Sequence, residues 1–185
     1  MTHVIRTAAL EDAAALARVA AATFPLACPP HTTPEAIVQF IAQNLSEERF
    51  GEYLVDAARQ LLLLEVGGED EVDAAAVGYA MVVHGAPSDP DVVAAIGASA
   101  TTELSKLYVM PGHHGSGLAS ELMDAAVALA VAHGSPSIWL GVNEENERAN
   151  RFYGKHGFEI AGRKRFLVGE RYEEDWVRVR SLANV

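Results

Sequence analysis

Residues 110–123, MPGHHGSGLASELM, concentrate backbone donors in one short turn. The segment holds a proline, two adjacent histidines and three glycines, and it leads into a run that is typical of a helix. The N–H groups of a first helical turn have no partner within the helix, and glycine lets the backbone approach a ligand closely. Residues 114–119 therefore predict a nest of backbone donors for an anion, assisted by the helix dipole.

Two established phosphate-binding motifs do not fit this turn. A dinucleotide fingerprint requires G-x-G-x-x-G, whereas counting from Gly115 gives Gly117 and then Ser120. A nucleotide-hydrolase loop requires Lys and then Ser or Thr after its second glycine, whereas Leu118 and Ala119 follow Gly117. We therefore expect a pyrophosphate held mainly by backbone, without triphosphate chemistry. A plain strand-to-helix connection is the alternative interpretation.

A second pattern lies about 30 residues downstream, in NEENERANRFYGKHGF. It has the form N-x-x-A-x-x-F-Y-x-K-x-G-F. Together with a strand that ends in LYV and the turn HGSGLA, it resembles the GNAT superfamily of N-acetyltransferases. The resemblance extends from Ile5 over nearly the whole chain and is strongest between residues 103 and 158. ELSKLYV, IWLGVNEENERANRFYGKHGF and the TF motif with a two-helix insertion before the second strand are most similar to the bacterial spermidine/spermine acetyltransferase branch.

The resemblance implies one α/β (α+β) domain over residues 1–185. Its fold would be a mixed, mostly antiparallel sheet of six to seven strands, flanked by four to five helices. The sheet would be splayed between its fourth and fifth strands. Acetyl-CoA would lie in that gap as the co-substrate, and no metal is expected.

The same resemblance assigns the cofactor contacts. The pyrophosphate would take the N–H groups of residues 114–119 and the hydroxyl of Ser120, and the pantetheine arm would pair with the backbone of Leu107 and Val109. Family members usually carry Gln or Arg where this chain has His114, so we expect a weaker or pH-dependent affinity for the cofactor. The expected cofactor-binding residues are Leu107, Tyr108, Val109, His114, Gly115, Ser116, Gly117, Leu118, Ala119, Ser120, Asn143, Asn146, Phe152, Tyr153 and Lys155.

Three of these side chains have separate expected roles. Asn143 or Asn146 would hold an amide of the pantetheine arm. Lys155 would contact the phosphate or adenine end of the cofactor, and a solvated lysine is the alternative.

Tyr153 and Glu103 are the expected catalytic residues. An alkylamine is neutral in about one molecule in 2,500 at pH 7, a handicap of roughly 4.6 kcal/mol, so the site must remove a proton. Simple alternation places Glu103 on the same strand face as Leu107 and Val109, where it would take that proton directly or through a water. The resemblance puts the phenol of Tyr153 beside the departing sulfur. The alternatives are an exposed strand carboxylate at 103 and a core tyrosine at 153.

Direct attack of the amine in a ternary complex needs no covalent nucleophile. Cys28 is accordingly expected to act as a small buried hydrophobe and not as an acyl carrier. The pair His113 and His114, taken with His84 and His133, lacks helical metal-ligand spacing, so it does not predict a metal centre.

The elements that must position these residues follow from hydrophobic periodicity and from capping residues. Thr33 with Pro34, and Ser46, each predict a helix start. The long run after residue 117 predicts a helix that is buried almost all round. GGEDEVD and GAPSDPDVVAAIGAS are predicted loops. The order strand, helices, three strands, helix, strand, helix, strands indicates an α/β layered domain around a mixed sheet.

Charge and composition narrow the function classes. The net charge of −11 argues against binding a nucleic-acid backbone. Residues 1–110 hold 15 acidic and 5 basic side chains, whereas residues 111–185 hold 10 and 9. The single cysteine and the lack of a long apolar run predict a cytoplasmic protein without a membrane partner, and a homodimer is a further expectation.

The acidic first half also suggests the acceptor. Glu35, Glu47, Glu48, Glu52 and Asp56 fall on helices expected to flank the acceptor pocket, which favours a small cation such as a polyamine. A protein N-terminus or lysine and an aminoglycoside are the alternative acceptors. A non-catalytic acyl-CoA-binding sensor is the alternative from outside the enzymes.

Overall fold

A computed structural model describes residues 2–67, 74–113 and 115–183 of the chain. His114 and all of the acidic segment GGEDEVD except Gly67 lie outside the described residues. The seven strands are β1 (Thr2–Thr7), β2 (Arg59–Gly67), β3 (Ala75–Gly85), β4 (Thr101–Val109), β5 (Ser137–Asn143), β6 (Glu159–Val168) and β7 (Arg171–Ser181). The helices are α1 (Ala13–Ala27), α2 (Pro34–Asn44), α3 (Glu47–Val55), α4 (Pro90–Ile96), α5 (Leu118–Ala132) and α6 (Glu147–Lys155), with a short 3-10 turn at Leu10–Asp12.

The strands form one sheet in the order β1-β2-β3-β4-β5-β7-β6. All neighbours are antiparallel except β4 and β5, which are parallel. These two strands pair only at Thr102 with Ile138 and at Glu103 with Trp139, and then diverge toward Val109 and Asn143. The predicted mixed sheet, splayed between its fourth and fifth strands, is confirmed.

Local capping explains where the helices begin. The side chain of Thr33 accepts a hydrogen bond from the N–H of Ala36, with Pro34 at the first helical position of α2. Ser46 caps α3 in the same way, by accepting from the N–H of Arg49. Both predicted helix starts are confirmed.

Helix α4 is an addition to the predicted elements, because its residues were expected to form a loop. Asp89 accepts a hydrogen bond from the N–H of Asp91, and Pro90 begins the helix. Val92 is fully buried, and it packs with Trp139 and Val177 on the outer side of β5 and β7. The described residues therefore contain six α-helices, one more than the largest number expected.

Each face of the sheet carries its own core. Helix α5 packs on one face and buries Leu122, Met123 and Ala126 completely, as expected for a helix apolar almost all round. Helices α1 to α3 pack on the other face, where Tyr79 and Phe50 are fully buried. The sheet thus separates two layers, and its strands diverge between β4 and β5.

A β-bulge at Ser105 interrupts the pairing of β4 with β3. Met81 lies opposite Lys106, and the next residue, Val82, lies opposite Leu104, so Ser105 is the extra residue. Side chains before and after a bulge do not follow one continuous alternation. The face assignment along β4 therefore changes at this point.

The bulge places Glu103 on the opposite face from the predicted one. Glu103 pairs with a β3 residue on the face covered by α1 to α3, and it shares that face with Lys106 and Tyr108. Leu107 and Val109 instead pack on the core under α5. The predicted common face of Glu103, Leu107 and Val109 is wrong, because the extra residue reverses the phase of the strand.

Candidate active site

A cavity of about 760 Å³ opens where β4 and β5 diverge, and it is lined from both faces of the sheet. On the α5 and α6 face its walls include Leu107, Ala119, Asn146, Ala149, Phe152 and Tyr153. On the opposite face they include Phe24, Cys28, Phe40, Glu103, Lys106 and Asp175. The cavity thus brings together predicted site residues from β4, β5, α5 and α6.

The glycine turn before α5 has the backbone conformation that its sequence predicts. Gly112, Gly115 and Gly117 have φ angles of 93°, 83° and 90°, in the left-handed region that favours glycine. A Cβ on Gly112 or Gly115 would meet nothing within 4 Å, and one on Gly117 would meet only Glu121 Oε1 at 4.0 Å. The three glycines are therefore required by their backbone conformation and not by crowding at the Cβ position.

The N–H groups at this turn remain available. The N–H groups of Ser120 and Glu121 donate to the carbonyl of Gly117. Those of residues 115–119 donate to no other described residue. Aligned, unpaired N–H groups at a helix N-terminus fit the diphosphate of coenzyme A.

Several predicted side chains at this end do not line the cavity. Ser116 donates its hydroxyl to the carbonyl of His113, and the hydroxyl of Ser120 lies 3.2 Å from Nε2 of His156. Leu118 is buried in the core under α5, so only its backbone can face a ligand. Lys155 is exposed at the end of α6, away from the cavity walls.

Asn143 and Asn146 line the cavity at the β5 end, and their side chains also organise the chain locally. Oδ1 of Asn146 accepts from the N–H of Ala149 and so caps α6. Oδ1 of Asn143 accepts from the N–H of Glu145 at 2.9 Å. Both oxygens are therefore occupied, which leaves the NH₂ groups as the atoms that can hold a ligand carbonyl.

Tyr153 lies on α6 with its ring against Phe152 and Phe158. Its hydroxyl forms no hydrogen bond with the described residues, although the side chain lines the cavity. Burial raises the pKa of Tyr153 to about 12. The phenol is therefore held protonated at neutral pH, as a proton donor must be.

Glu103 lines the cavity on the side of α1 to α3, and also a smaller cavity of about 230 Å³ beside the loop before α4. Burial raises the pKa of Glu103, whereas the charges of Lys164, Lys106 and Arg59 oppose that shift. Burial also lowers the pKa of Lys106 to about 8. The carboxylate thus lies in a field of cations.

The acidic residues on the first helices do not line the cavity. Glu35, Glu47, Glu48, Glu52 and Asp56 are all exposed. Glu52 pairs with Arg49 on the surface, and Asp56 pairs with Arg59. Helices α2 and α3 do line the cavity, through Phe40 and Tyr53 among others, but these five acidic side chains are exposed to solvent outside it.

The cleft carboxylates that sequence reasoning missed lie on β7. Glu173 and Asp175 are each 7% exposed and line the cavity. Alternation was the available signal, since Glu173, Asp175 and Val177 occupy the buried face of this strand. Arg148, exposed near the start of α6, also lines the cavity and was missed.

Cys28, His84 and His133 each contact neighbouring groups. Burial raises the pKa of Cys28 to about 11, and its thiol donates to the carbonyl of Phe24. The rings of His84 and His133 stack with their centroids 3.8 Å apart, and His84 lies within hydrogen-bond distance of Thr102. In the part of the chain that the structure covers, no three His, Cys, Asp or Glu residues are arranged to hold a metal ion.

None of the helices in the described ranges has the length and hydropathy that crossing a membrane requires.

The proteins that this chain resembles in sequence are N-acetyltransferases. The model of the acetyltransferase (GNAT) family matches residues 21–158. An uncharacterized N-acetyltransferase of Mycobacterium tuberculosis (strain ATCC 25618 / H37Rv) is 47% identical over 173 residues, covering 94% of this chain and 99% of the relative. An uncharacterized N-acetyltransferase of Lactobacillus delbrueckii subsp. lactis is 22% identical over 154 residues, covering 81% and 80%.

The fold also matches solved acetyltransferase structures. The PaiA N-acetyltransferase of Thermoplasma acidophilum, solved in complex with coenzyme A, has a TM-score of 0.73 at 19% identity, over 98% of this chain and 99% of that chain. At these identities the likeness concerns the fold alone. The family match, the close relative and the splayed sheet agree with one another. The chain therefore belongs to the GNAT family of acetyltransferases, and it is an acyltransferase that uses acetyl-CoA.

Proposed function

We propose that the protein transfers the acetyl group of acetyl-CoA to a primary amine of a small cationic, polyamine-like acceptor, by direct attack in a ternary complex. One observation carries this proposal: the cavity crosses the sheet, with residues of α5 and α6 on one side and the buried carboxylates Glu173 and Asp175 on the other. A cofactor and an amine can therefore meet in the gap from opposite faces.

The cofactor occupies the α5 and α6 side in this proposal. The N–H groups of residues 115–119 hold its diphosphate, because they are aligned at a helix N-terminus and lack other partners among the described residues. The pantetheine arm runs along β4 after its last pairing with β5 at Glu103. The NH₂ group of Asn143 or Asn146 holds a carbonyl of the arm.

Tyr153 and a carboxylate carry the proton transfers. Tyr153 donates its phenolic proton to the CoA sulfur as the C–S bond breaks, which suits a phenol with a pKa of about 12 at the gap. The predicted base, Glu103, lies on the acceptor side of the cavity and remains a candidate for taking the amine proton. Its position fits direct contact with the acceptor, and not with the cofactor arm.

The acceptor is assigned from the charges at its end of the cavity. Glu103, Glu173 and Asp175 are three carboxylates around one apolar wall formed by the stacked rings of Phe24 and Phe40. Carboxylates attract an ammonium group, and the rings accommodate a hydrocarbon chain. Both features fit an aliphatic amine that carries more than one positive charge.

A peptide amine is the second candidate acceptor. Leu26 and Leu167 line the cavity, and they are 62% and 47% exposed, so they offer apolar surface at its mouth. Such a rim fits side chains that follow a peptide N-terminus. The solved structure of Arabidopsis thaliana NAA60 in complex with a bisubstrate analogue has the same fold, with a TM-score of 0.70 at 16% identity over 98% of this chain and 99% of that chain.

Thiol release tests the proposed function. Protein is mixed with acetyl-CoA and, in turn, spermidine, an aminoglycoside and a short peptide, and free CoA is followed with a thiol reagent. The proposal expects the fastest release with spermidine. Tight CoA binding without turnover of any amine would instead favour an acyl-CoA sensor. The single domain over residues 1–185, the cytoplasmic location and a homodimer stay predictions.

A further inference from the structure

Asp175 is a buried carboxylate of the cleft without a direct partner. It lies on β7, opposite Asn143 of β5 and Lys164 of β6, and it is 7% exposed. It accepts no hydrogen bond and forms no ion pair with any residue in the described ranges, and it lines the cavity. Burying a charge without a partner is costly, so such a group marks a site that a ligand completes.

The sheet leaves room for this carboxylate at Gly141 of β5. A Cβ on Gly141 would lie 3.4 Å from Oδ2 of Asp175 and 3.3 Å from Cδ of Lys164. Lys164 directs its ammonium group to Asp89, at 3.5 Å. The adjacent cation on β6 therefore does not pair with Asp175.

The other two carboxylates on this side have different surroundings. Both carboxylate oxygens of Glu173 lie within 3.0 Å of Nε2 of His31, and one lies 3.5 Å from Nε of Arg171. Glu103 also lacks a hydrogen bond and an ion pair among the described residues, but it is less deeply buried than Asp175. Burial raises its pKa, and the nearby cations Lys164, Lys106 and Arg59 oppose that rise. Of these three carboxylates, Asp175 is the one that is deeply buried and also has no hydrogen bond or ion pair with the described residues.

The charges around Asp175 also favour proton uptake. The titratable groups that act on it are Lys164 on β6, Tyr108 on β4, Glu144 after β5, Glu173 on the same face of its own strand and Glu174 on the opposite face. Burial raises the pKa of Asp175 to about 6, the carboxylates add to the shift, and Lys164 opposes it. The group is ionised at neutral pH and is a stronger base than an ordinary carboxylate.

We infer that Asp175 binds the ammonium group of the acceptor and takes one of its protons, a role that rests on the proposed acetyl transfer. The amine nitrogen then forms a bond to the acetyl carbon, and the bond from that carbon to the CoA sulfur breaks. Two protons leave the nitrogen during the reaction. One ends on the sulfur, through Tyr153, and the other ends on Asp175, which releases it to water.

The test compares D175N with the matched control E174Q. Glu174 is exposed on the other face of the same strand, so E174Q removes one negative charge outside the cleft. Spermidine binding to the CoA complex is measured by calorimetry for each protein. We expect D175N to bind spermidine at least ~10-fold more weakly and E174Q to stay within ~2-fold, because a desolvated charge pair contributes far more than an exposed one.

The pH titration of the carboxyl carbon of Asp175, followed by ¹³C NMR in the CoA complex, gives a second readout. The spectrum of D175N assigns the signal. We expect a midpoint near pH 6 that falls when spermidine binds, since a bound cation favours the carboxylate. The acid limb of the pH profile of kcat/KM for spermidine should follow this titration in wild type and should be absent in D175N. In E174Q it should persist and move slightly to lower pH, because the charge of Glu174 adds to the raised pKa of Asp175.

Three results would overturn this role. They are wild-type affinity of D175N for spermidine, titration of Asp175 near 3.8 without a response to spermidine, and no binding of spermidine to the wild-type CoA complex. Failure of the proposed function has a different signature. A wild-type protein that binds spermidine through Asp175 and releases no thiol would refute acetyl transfer and leave the binding role intact.

Discussion

Replacing Asp175 by asparagine should stabilise the folded protein at neutral pH. The carboxylate is 7% exposed and has no direct partner in the described part of the chain, and asparagine has nearly the same shape without the charge. The substitution removes the cost of holding an ionised group in a poorly solvated position. Groups placed for function often lower stability in this way.

The magnitude follows from the raised pKa of Asp175, about 6 in the folded protein against an ordinary value of 3.8. Between these values the native state binds more protons than the unfolded state, so the free energy of unfolding falls as the pH rises. The difference corresponds to at most about 3 kcal/mol, reached above pH 6. D175N should be more stable than wild type by up to this amount at pH 7, and the gap should close below about pH 4.

Urea unfolding of wild type, D175N and E174Q across this pH range measures the effect. Wild type should lose stability relative to D175N as the pH rises through the titration of Asp175. E174Q should follow wild type, because Glu174 is exposed and well solvated. A constant difference between wild type and D175N at every pH, or a less stable D175N at pH 7, would refute the reasoning.

The remaining predictions concern the chemistry, the cofactor turn and the sheet. Y153F should lower the rate of thiol release at least ~10-fold with little change in CoA affinity, because it removes only a proton donor. The control is Y172F, since Tyr172 is exposed and lies outside the cavity. An unchanged rate in Y153F would exclude Tyr153 as the donor. G117V should abolish CoA binding measured by calorimetry, since valine is strained at a φ of 90° and its side chain would occupy the diphosphate position; wild-type affinity would contradict this placement. G78A should lower the free energy of unfolding by about 1–3 kcal/mol, because its Cβ would lie 2.9 Å from the carbonyl oxygen of Tyr108. The control is G51A, whose Cβ would have no neighbour nearer than 4.0 Å and which should leave the free energy of unfolding nearly unchanged.

Features set by local sequence were predictable. Thr33 before Pro34, and Ser46, marked two helix starts, because capping depends on residues three positions apart. Asp89 before Pro90 is the same signal, although the surrounding segment GAPSDPDVVAAIGAS predicts a loop and not the short helix that forms there. Hydrophobic periodicity predicted the order of strands and helices along the chain, and the resemblance to the family predicted the gap between β4 and β5.

Features set by contacts distant in sequence were not predictable. The bulge at Ser105 depends on how β3 pairs with β4, so the strand's own sequence predicts simple alternation and the wrong face for Glu103. Asp175 lies about 60 residues beyond the glycine turn and becomes a cleft residue because β7 pairs beside β5. An acidic residue in a strand normally indicates a solvent-facing position, which hides such a site.

The extra residue in β4 makes strand pairing, and not only chemical identity, a determinant of the reaction chamber. With Ser105 outside the alternation, Glu103 shares a face with Lys106, whereas Leu104 shares the other face with Leu107. Deleting Ser105 would keep this arrangement, because the remaining residues alternate without it. Pairing Ser105 into the ladder without a deletion would instead turn Glu103 toward α5 and Leu104 toward the first helices. The face on which this charge meets the cavity is therefore set by the register of β4 against β3.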